Sequence, residues 1–275
     1  MAFTVVTNVP SLNAQRQLAN TGDALNQALE RLSSGLRINK AADDAAGLAI
    51  ADKLRSDIRI ASQAIRNAND GISAITIGEK ALGEVGDIVT RLSELAQQSA
   101  SGLVTNDQRS SIQTEFESLV SEIDRISNTT SFNGVNLLSA GNTVSLQIGL
   151  DNSANARLEF QTIDGSSSGI GLSLSSVSLS TQTAARSALS SITSAIGTVA
   201  SKRGELGAIQ SRLTIAIRNL RVARENFSAA ESRIRDADIA EETANLTKNT
   251  ILQQAGVSVL AQANQAPSLA LRLLQ

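Results

Sequence analysis

The most regular pattern in the sequence is an apolar residue at every seventh position across residues 54–96. A companion series begins four residues later, at Ile58, and weakens after Ile72. This alternation of three and four is the repeat of a coiled-coil-like helix. It predicts one long helix with a continuous apolar face. The face consists of Leu54, Ala61, Ala68, Ile75, Leu82, Val89 and Ala96, and is widened by Ile65, Val85, Leu92 and Leu95.

Two further helical patterns lie in the C-terminal half and near the N-terminus. The first runs from Leu206 to Ala237 and resumes at Ala244, and the second runs from Leu18 to Leu36. Both repeat at helical spacing, so we expect helices from both ends of the chain to pack lengthwise. The C-terminal series is Leu206, Ile209, Leu213, Ala216, Leu220, Ala223, Phe227, Ala230, Ile234 and Ala237. The N-terminal series is Leu18, Leu25, Leu29, Leu32 and Leu36.

The length of the first pattern bears on the fold class. A helix over residues 54–96 would be about 65 Å long, whereas a compact globule of this chain length would be roughly 50 Å across. We therefore predict a mainly α protein, an elongated rod of long antiparallel coiled-coil-like helices from both ends of the chain.

The middle of the chain has a different pattern. Alternating apolar residues at 144–150 and again at 158–162 are separated by the turn-like residues 151–156, which predicts a β-hairpin with one covered face. Asn133-Gly134 is a further turn signal. Half of residues 165–180 are serine, which predicts an exposed loop or weak strand and no core element. The β-hairpin and loop region thus covers about residues 130–183.

The two ends of the chain are unusual for a monomer. Residues 1–15 and 249–271 contain no charged residue, whereas a surface helix normally carries a charged face. We expect these ends to be buried by other copies of the chain, with low-complexity disorder as the alternative. The predicted domains are a discontinuous terminal helical domain, 1–44 with 240–275, and an outer rod domain, 45–239.

Composition narrows the possible functions. The 275 residues include no Cys and no His, and the net charge is -2. Without Cys and His the chain cannot form disulfides, the usual zinc sites, a thiolate nucleophile or a Ser-His-Asp triad. The net charge argues against a nucleic-acid interface, because such an interface needs a basic surface. The longest uncharged runs are too polar for a membrane span, and the N-terminus does not resemble a cleavable signal peptide. A structural or interaction protein is favoured over an enzyme.

The pair Asp43-Asp44 is the nearest approach to a catalytic or metal-binding carboxylate site. Acid–base catalysis would require a cleft and a second group with a different pKa. The simpler interpretation is that one of the two carboxylates caps a helix that begins near Ala45. We expect no catalytic residue, no metal site and no cofactor.

Four segments carry a family resemblance. Glu30–Ala51, ERLSSGLRINKAADDAAGLAIA, closely resembles the N-terminal signature of bacterial flagellins, as does Arg66–Ser73, RNANDGIS. Ile251–Ala266, ILQQAGVSVLAQANQA, resembles the C-terminal signature, and the chain closes with Leu271–Gln275, LRLLQ. The sequence is thus identified as a member of the flagellin family, of a minimal type without surface insert domains.

The resemblance implies a structural subunit that is exported and self-assembles into the extracellular helical filament of the flagellum, giving motility without catalysis. The implied partners are other copies of the chain, an export chaperone, the flagellar type III secretion apparatus, and the filament cap and hook-junction proteins. The alternatives are a hook–filament junction protein of the same family, a secreted coiled-coil effector or adhesin, and, more distantly, a hydrolase.

The resemblance also implies two sets of site residues. The segment Arg91–Ser99 resembles the flagellin surface that a Toll-like receptor of animal hosts recognises, and that surface also packs between subunits. The recognised surface would comprise Arg91, Leu95, Glu115 and Arg212. The terminal polymerisation segments would comprise Leu18, Leu25, Leu29, Leu32, Ile251, Leu252, Val259, Leu260, Leu269, Leu271, Leu273 and Leu274.

Overall fold

A computed structural model describes residues 7–173 and 177–272 of the chain, with side chains up to residue 265. The described part is mainly helical, as predicted, with a small antiparallel strand region between the long helices. The elements in chain order are α1 (Val9–Ser34), α2 (Ala45–Ser99), α3 (Asn106–Thr129), β1 (Ser131–Phe132), β2 (Val135–Asn136), β3 (Thr143–Gln147), β4 (Arg157–Gln161), α4 (Gln182–Arg235) and α5 (Ile239–Arg272).

Contacts group the chain into two compact units. We call Met1–Ile58 with Glu225–Gln275 the terminal unit, and Arg59–Arg224 the central unit. The predicted domain boundaries, 44/45 and 239/240, stay a prediction, as does the overall rod shape. Both hydrophobic core clusters lie in the central unit.

The seven-residue series of α2 provides much of that core. Ala61, Ala68 and Leu82 are fully buried, and so are Val89 and Ala96. In the central unit α4 runs antiparallel to α2, because Gly71 approaches Leu213 while Gly86 approaches Val199. The periodicity alone therefore predicted the buried face of α2.

The apolar periodicity did not predict helix α3 as a separate element, although its sequence carries clear signals. Thr105 and Gln108 form a capping box at its start, and Ile112, Phe116, Val120 and Ile123 bury one face. Arg109, only 7% exposed, donates from Nε to the Ser99 carbonyl at 2.9 Å and from Nη2 to the Ser101 carbonyl at 2.8 Å. Arg109 thus links α3 to the C-terminal end of α2.

The predicted hairpin is confirmed. Val144 pairs with Phe160 and Leu146 with Leu158 in an antiparallel ladder, and their side chains join the core cluster that contains Leu213. The first strand ends at Gln147, earlier than the alternating pattern suggested. A Cβ at Gly71 would collide with Leu146 Cδ1, so glycine permits this close approach of the hairpin to α2. The Asn133-Gly134 turn joins β1 to β2, with positive φ at both residues.

The expectation that residues 165–180 contribute nothing to the core is wrong. Ile170, Leu172, Val177 and Leu179 are at most 3% exposed and belong to the cluster around α2, α3 and α4. Hydrogen bonds secure the irregular backbone, since Asp124 accepts from the Ser167 N–H and Ser99 Oγ donates to the Leu179 carbonyl. The serines share this loop with buried aliphatic side chains.

Candidate functional site

The terminal unit pairs α1 with α5 in antiparallel orientation. At one end Ser11 Oγ donates to Asn264 Oδ1 at 2.7 Å, and Asn8 Nδ2 donates to the Ala263 carbonyl at 2.8 Å. At the other end Arg31 Nη1 donates to Glu242 Oε1 at 2.8 Å. The two helices are thus held by polar contacts at both ends of their shared length.

Local sequence defines where these helices begin. The Asn8 side chain accepts from the Ser11 N–H at the start of α1, and Asp238 Oδ1 accepts from the N–H groups of Ala240 and Glu241 at the start of α5. Side-chain oxygens satisfy helix N–H groups that have no partner within the helix. An isolated antiparallel β-bridge pairs Leu36, which follows α1, with Asp236, which precedes α5.

The pairing of α1 with α5 leaves many of their apolar side chains exposed. Val9, Leu12 and Leu29 on α1 are about half exposed, at 53%, 57% and 48%. Exposed apolar side chains in this number are typical of a surface that contacts other proteins. The exposed residues on α5 are Ile239 at 54%, Ile251 at 60%, Leu252 at 46%, Val257 at 53% and Val259 at 54%.

An apolar groove of about 500 Å³ lies between the two helices. Gly256 permits the helices to approach here, because a Cβ at this position would lie 3.3 Å from Leu18 Cδ1. No ionisable side chain is among the described residues that line the groove. They are Pro10, Asn13, Ala14, Gln17, Leu18, Thr21, Leu252, Ala255, Gly256 and Val259.

The structure divides the predicted polymerisation residues into three groups. Leu18, Leu25, Leu32 and Leu260 are half-buried, whereas Leu29, Ile251, Leu252 and Val259 are exposed. For Leu269 and Leu271 the structure describes the helix but no side chain, and Leu273 and Leu274 lie outside the described residues.

Asp43 and Asp44 stabilise the backbone at the start of α2. Asp44 Oδ1 accepts from the Gly47 N–H at 2.8 Å, which caps α2 as predicted. Asp43 accepts from the backbone N–H groups of Lys40 and Asn39, which hold the pKa of its carboxyl below the ordinary value. The described residues contain no cluster of three metal-ligating side chains and no helix suited to cross a membrane.

The predicted receptor-facing residues do not all lie on the surface. Arg91 is exposed and donates to Glu94 and to Glu115, each at 2.9 Å. These two carboxylates raise the pKa of the Arg91 guanidinium. Arg212 is exposed on α4. Leu95 is 1% exposed and packs in the core cluster of α2, α3 and α4, so its side chain is not on the surface, and its role in receptor recognition stays a prediction.

The pair of Arg91 with Glu115 joins α2 to α3 within the central unit. The sequence patterns did not predict this contact, because they gave no bounds for α3. The capping box at Thr105 and the apolar spacing after it were the signals that could have found the helix and its outward glutamates.

Comparison with known proteins gives two family matches. The family model for the bacterial flagellin N-terminal helical region matches residues 5–143, and the model for the C-terminal helical region matches residues 189–274. Together they cover well over half of the chain.

Individual relatives and a solved structure agree with these matches. A flagellin of Halalkalibacterium halodurans is 45% identical over 98% of both chains. A flagellar filament 33 kDa core protein of Treponema phagedenis is 41% identical over 98% of both. The crystal structure of Bacillus cereus flagellin shares 25% identity, with a TM-score of 0.50 over 56% of this chain and 88% of that one.

Proposed function

This chain belongs to the bacterial flagellin family and is a structural subunit of the flagellar filament, and from that premise we propose that the paired helices α1 and α5 carry its main contacts with other subunits. The observation that supports this proposal is their uncharged, half-exposed apolar surface. In a lone chain that surface faces water, whereas in a helical polymer neighbouring copies would cover it.

The energetics of apolar burial support a contact through the terminal unit. Each apolar side chain that neighbouring copies bury contributes on the order of 1.5–3 kcal/mol before ordering costs. Leu12, Ile251 and Val259 are at least half exposed. A contact that covers them therefore gains much of this free energy of burial. That gain recurs at every subunit along the polymer.

Polymerisation of groove variants tests the proposal. Purified, concentrated protein is expected to form filaments visible by electron microscopy, and a variant with Leu252→Gln and Val259→Gln is expected to form none. Ile196→Gln is the matched control, because Ile196 is 40% exposed on α4 of the central unit. Assembly of the groove variant at the control's rate would contradict the assignment of the site.

The route to the filament follows from the same premise. We infer that subunits leave the cell through the flagellar type III secretion apparatus and meet the hook-junction and cap proteins at the growing end. An export chaperone would cover α5 beforehand, because a free apolar face invites premature polymerisation. Binding of the chaperone to a chain that ends at Ile239 would argue against this role for α5.

The exposed Arg91–Glu115 pair supports a second, external recognition surface. We propose that a host Toll-like receptor contacts Arg91, Glu115 and Arg212, and that Leu95 supports this surface from beneath. Arg91→Ala is expected to weaken receptor activation, while Arg186→Ala, at an exposed arginine elsewhere on the central unit, is expected to leave it unchanged. An equal response from both variants would contradict the proposal.

A further inference from the structure

The turn between β1 and β2 contains the one Asn-Gly pair of the chain, Asn133-Gly134. Both residues are exposed, and both have positive φ, 49° at Asn133 and 80° at Gly134. A two-residue hairpin turn with positive φ at both positions is the turn that Asn-Gly favours. The space beside Gly134 is open, because a Cβ at this position would meet nothing within 4 Å. Little therefore shields the peptide bond between the two residues from water or from the Asn133 side chain.

Neither reactive group of this pair is engaged in a hydrogen bond within the described residues. The side-chain amide of Asn133 has no partner there, and the Gly134 N–H donates to no acceptor. An asparagine can close onto its own main chain when the next backbone nitrogen is free to attack the side-chain amide. Glycine assists this closure, because it has no Cβ to obstruct the approach.

The two Asp-Gly pairs of the chain could close in the same way, but the structure protects them. Asp70-Gly71 lies inside α2, where helical hydrogen bonds hold the backbone. At Asp164-Gly165 the Gly165 N–H donates to the Leu138 carbonyl at 3.1 Å, so its nitrogen is engaged. The β1–β2 turn is therefore the reactive place.

A very short sheet opposes the movement that the reaction needs. Ring closure requires the backbone at Asn133 to leave its left-handed conformation, which opens the turn. Strands β1 and β2 are each two residues long, and Val135 of β2 is 42% exposed. Two-stranded hairpins are marginally stable in water, so this turn opens locally while the rest of the central unit stays folded.

We propose that Asn133 is a site of spontaneous covalent modification, at which the side-chain amide is lost and isoaspartate forms. The Gly134 nitrogen loses its proton and attacks the side-chain carbonyl carbon of Asn133. The new C–N bond displaces ammonia and closes a cyclic imide. Water then opens the ring: attack at the side-chain carbonyl leaves aspartate, and attack at the main-chain carbonyl leaves isoaspartate, whose main chain is one carbon longer. Water is the co-reactant, and no oxidant or reductant takes part.

Isoaspartate fits this turn poorly, because a two-residue connection between paired strands has no place for an additional main-chain carbon. The segment that follows the turn is attached to the core. The Leu137 N–H donates to the Thr130 carbonyl at 3.0 Å, and Ser127 Oγ donates to the carbonyl of the fully buried Leu138 at 2.6 Å. Modification therefore loosens the segment that places Leu138 in the core, and the modified fraction increases with the age of the subunit.

Uptake of heavy oxygen from labelled water tests the proposal. The full-length chain is incubated in mildly alkaline buffer made with this water and then digested with trypsin in ordinary water. Mass spectrometry locates the label within the peptide 126–157, and an isoaspartate-specific methyltransferase identifies the isomer. A sample unfolded in urea is treated in parallel.

The folded chain is expected to take up label at Asn133 at a rate within a few-fold of the unfolded chain. The internal reference is Asn152, which is also exposed. Its rate is expected to be several-fold lower, because it precedes serine and the Ser153 N–H donates to Asp151 Oδ1 at 3.2 Å.

A matched variant measures the consequence of the modification. Asn133→Gly removes the side-chain amide and suits the positive φ of this position, so its hairpin is expected to form as in the wild type. After equal incubation the unfolding temperature of the wild type is expected to fall as isoaspartate accumulates, whereas that of Asn133→Gly stays unchanged.

Two outcomes would overturn the proposal. The first is uptake at Asn133 in the unfolded chain only, because the folded turn would then protect the amide. The second is an equal fall of the unfolding temperature in the wild type and in Asn133→Gly. Neither measurement involves polymerisation, so the result is independent of the proposed contacts through α1 and α5.

Discussion

Arg31 of α1 donates to the carboxylate of Glu242 of α5 at 2.8 Å, and the Glu242 side chain is only 9% exposed while that of Arg31 is 25% exposed. The two residues are 211 positions apart in sequence. Their contact joins the helices from the two ends of the chain at the point where α1 ends and α5 begins.

The unequal burial predicts unequal effects of substitution. Arg31→Ala leaves a nearly buried carboxylate without its cation and is expected to cost about 2–3 kcal/mol, whereas Glu242→Ala leaves a guanidinium that reaches water and is expected to cost about 1 kcal/mol. The temperature at which filaments depolymerise is measured for both variants, and the double variant completes the double-mutant cycle. A larger loss from Glu242→Ala would reverse this interpretation.

The terminal helices are expected to be protected from hydrogen exchange only in the polymer. Their apolar faces gain most of their burial from other copies, because half-exposed residues such as Leu12 and Ile251 contribute little in a lone chain. Exchange followed by mass spectrometry should show α1 and α5 open in monomers and closed in filaments, with α2 residues 61–96 protected in both. Equal protection of α1 in both states would contradict the prediction.

Removal of residues 269–275 is expected to abolish assembly while the central unit stays folded. The removed segment contains four leucines, each worth on the order of 1.5–3 kcal/mol when neighbours bury it. The central unit has its own core clusters, so its thermal unfolding should be unchanged. Deletion of Gln275 alone serves as the control, and seeded growth of the shortened chain at the control's rate would refute the prediction.

Two glycines of α2 provide a matched pair for the packing of the hairpin. Gly83→Ala has open space for the new methyl group and is expected to stabilise by about 1 kcal/mol through helix propensity. Gly71→Ala forces Leu146 to move, so it is expected to be less stable than Gly83→Ala by about 1–3 kcal/mol. Denaturant unfolding of the two variants checks the order, and equal stabilisation would mean that the hairpin yields without strain.

The hydrogen bonds to Asp43 predict a pH dependence. The folded-state pKa of its carboxyl is lowered by the N–H groups of Lys40 and Asn39, so this contribution is complete above the ordinary value of 3.8 and disappears as pH falls through the folded-state pKa. Asp43→Ala should therefore destabilise the turn before α2 at pH 7 and make little difference in strong acid. A difference from wild type that grows on acidification would have the wrong sign.

Periodicity explains which parts of the fold could be predicted. Leu82 and Val89 are buried because a helix returns every seventh residue to the same face, and neighbours in sequence suffice to reveal this. Leu95, which widens the same predicted face, is buried for the same reason. Ile170 and Leu179 belong to an irregular loop, and they are buried because this loop packs against α2, α3 and α4. A local sequence pattern therefore does not predict their burial.

The candidate site was predictable in part for the same reason. The absence of charge at the two ends of the chain is a local property, and it is enough to predict contact surfaces there. It could not locate the groove beside Gly256 or the pairing of Arg31 with Glu242, because both depend on the alignment of two helices from opposite ends of the chain.

The pairing of α1 with α5 also determines when a competent subunit can exist. Ribosomes complete α1 at Ser34, and its partner helix begins at Ile239. At about 5–20 residues per second, synthesis of the intervening chain occupies roughly 10–40 s. During that interval α1 has no partner from its own chain. A nascent chain is therefore unable to join a polymer while it is still being translated, and the order of synthesis itself delays assembly until the last helix is made.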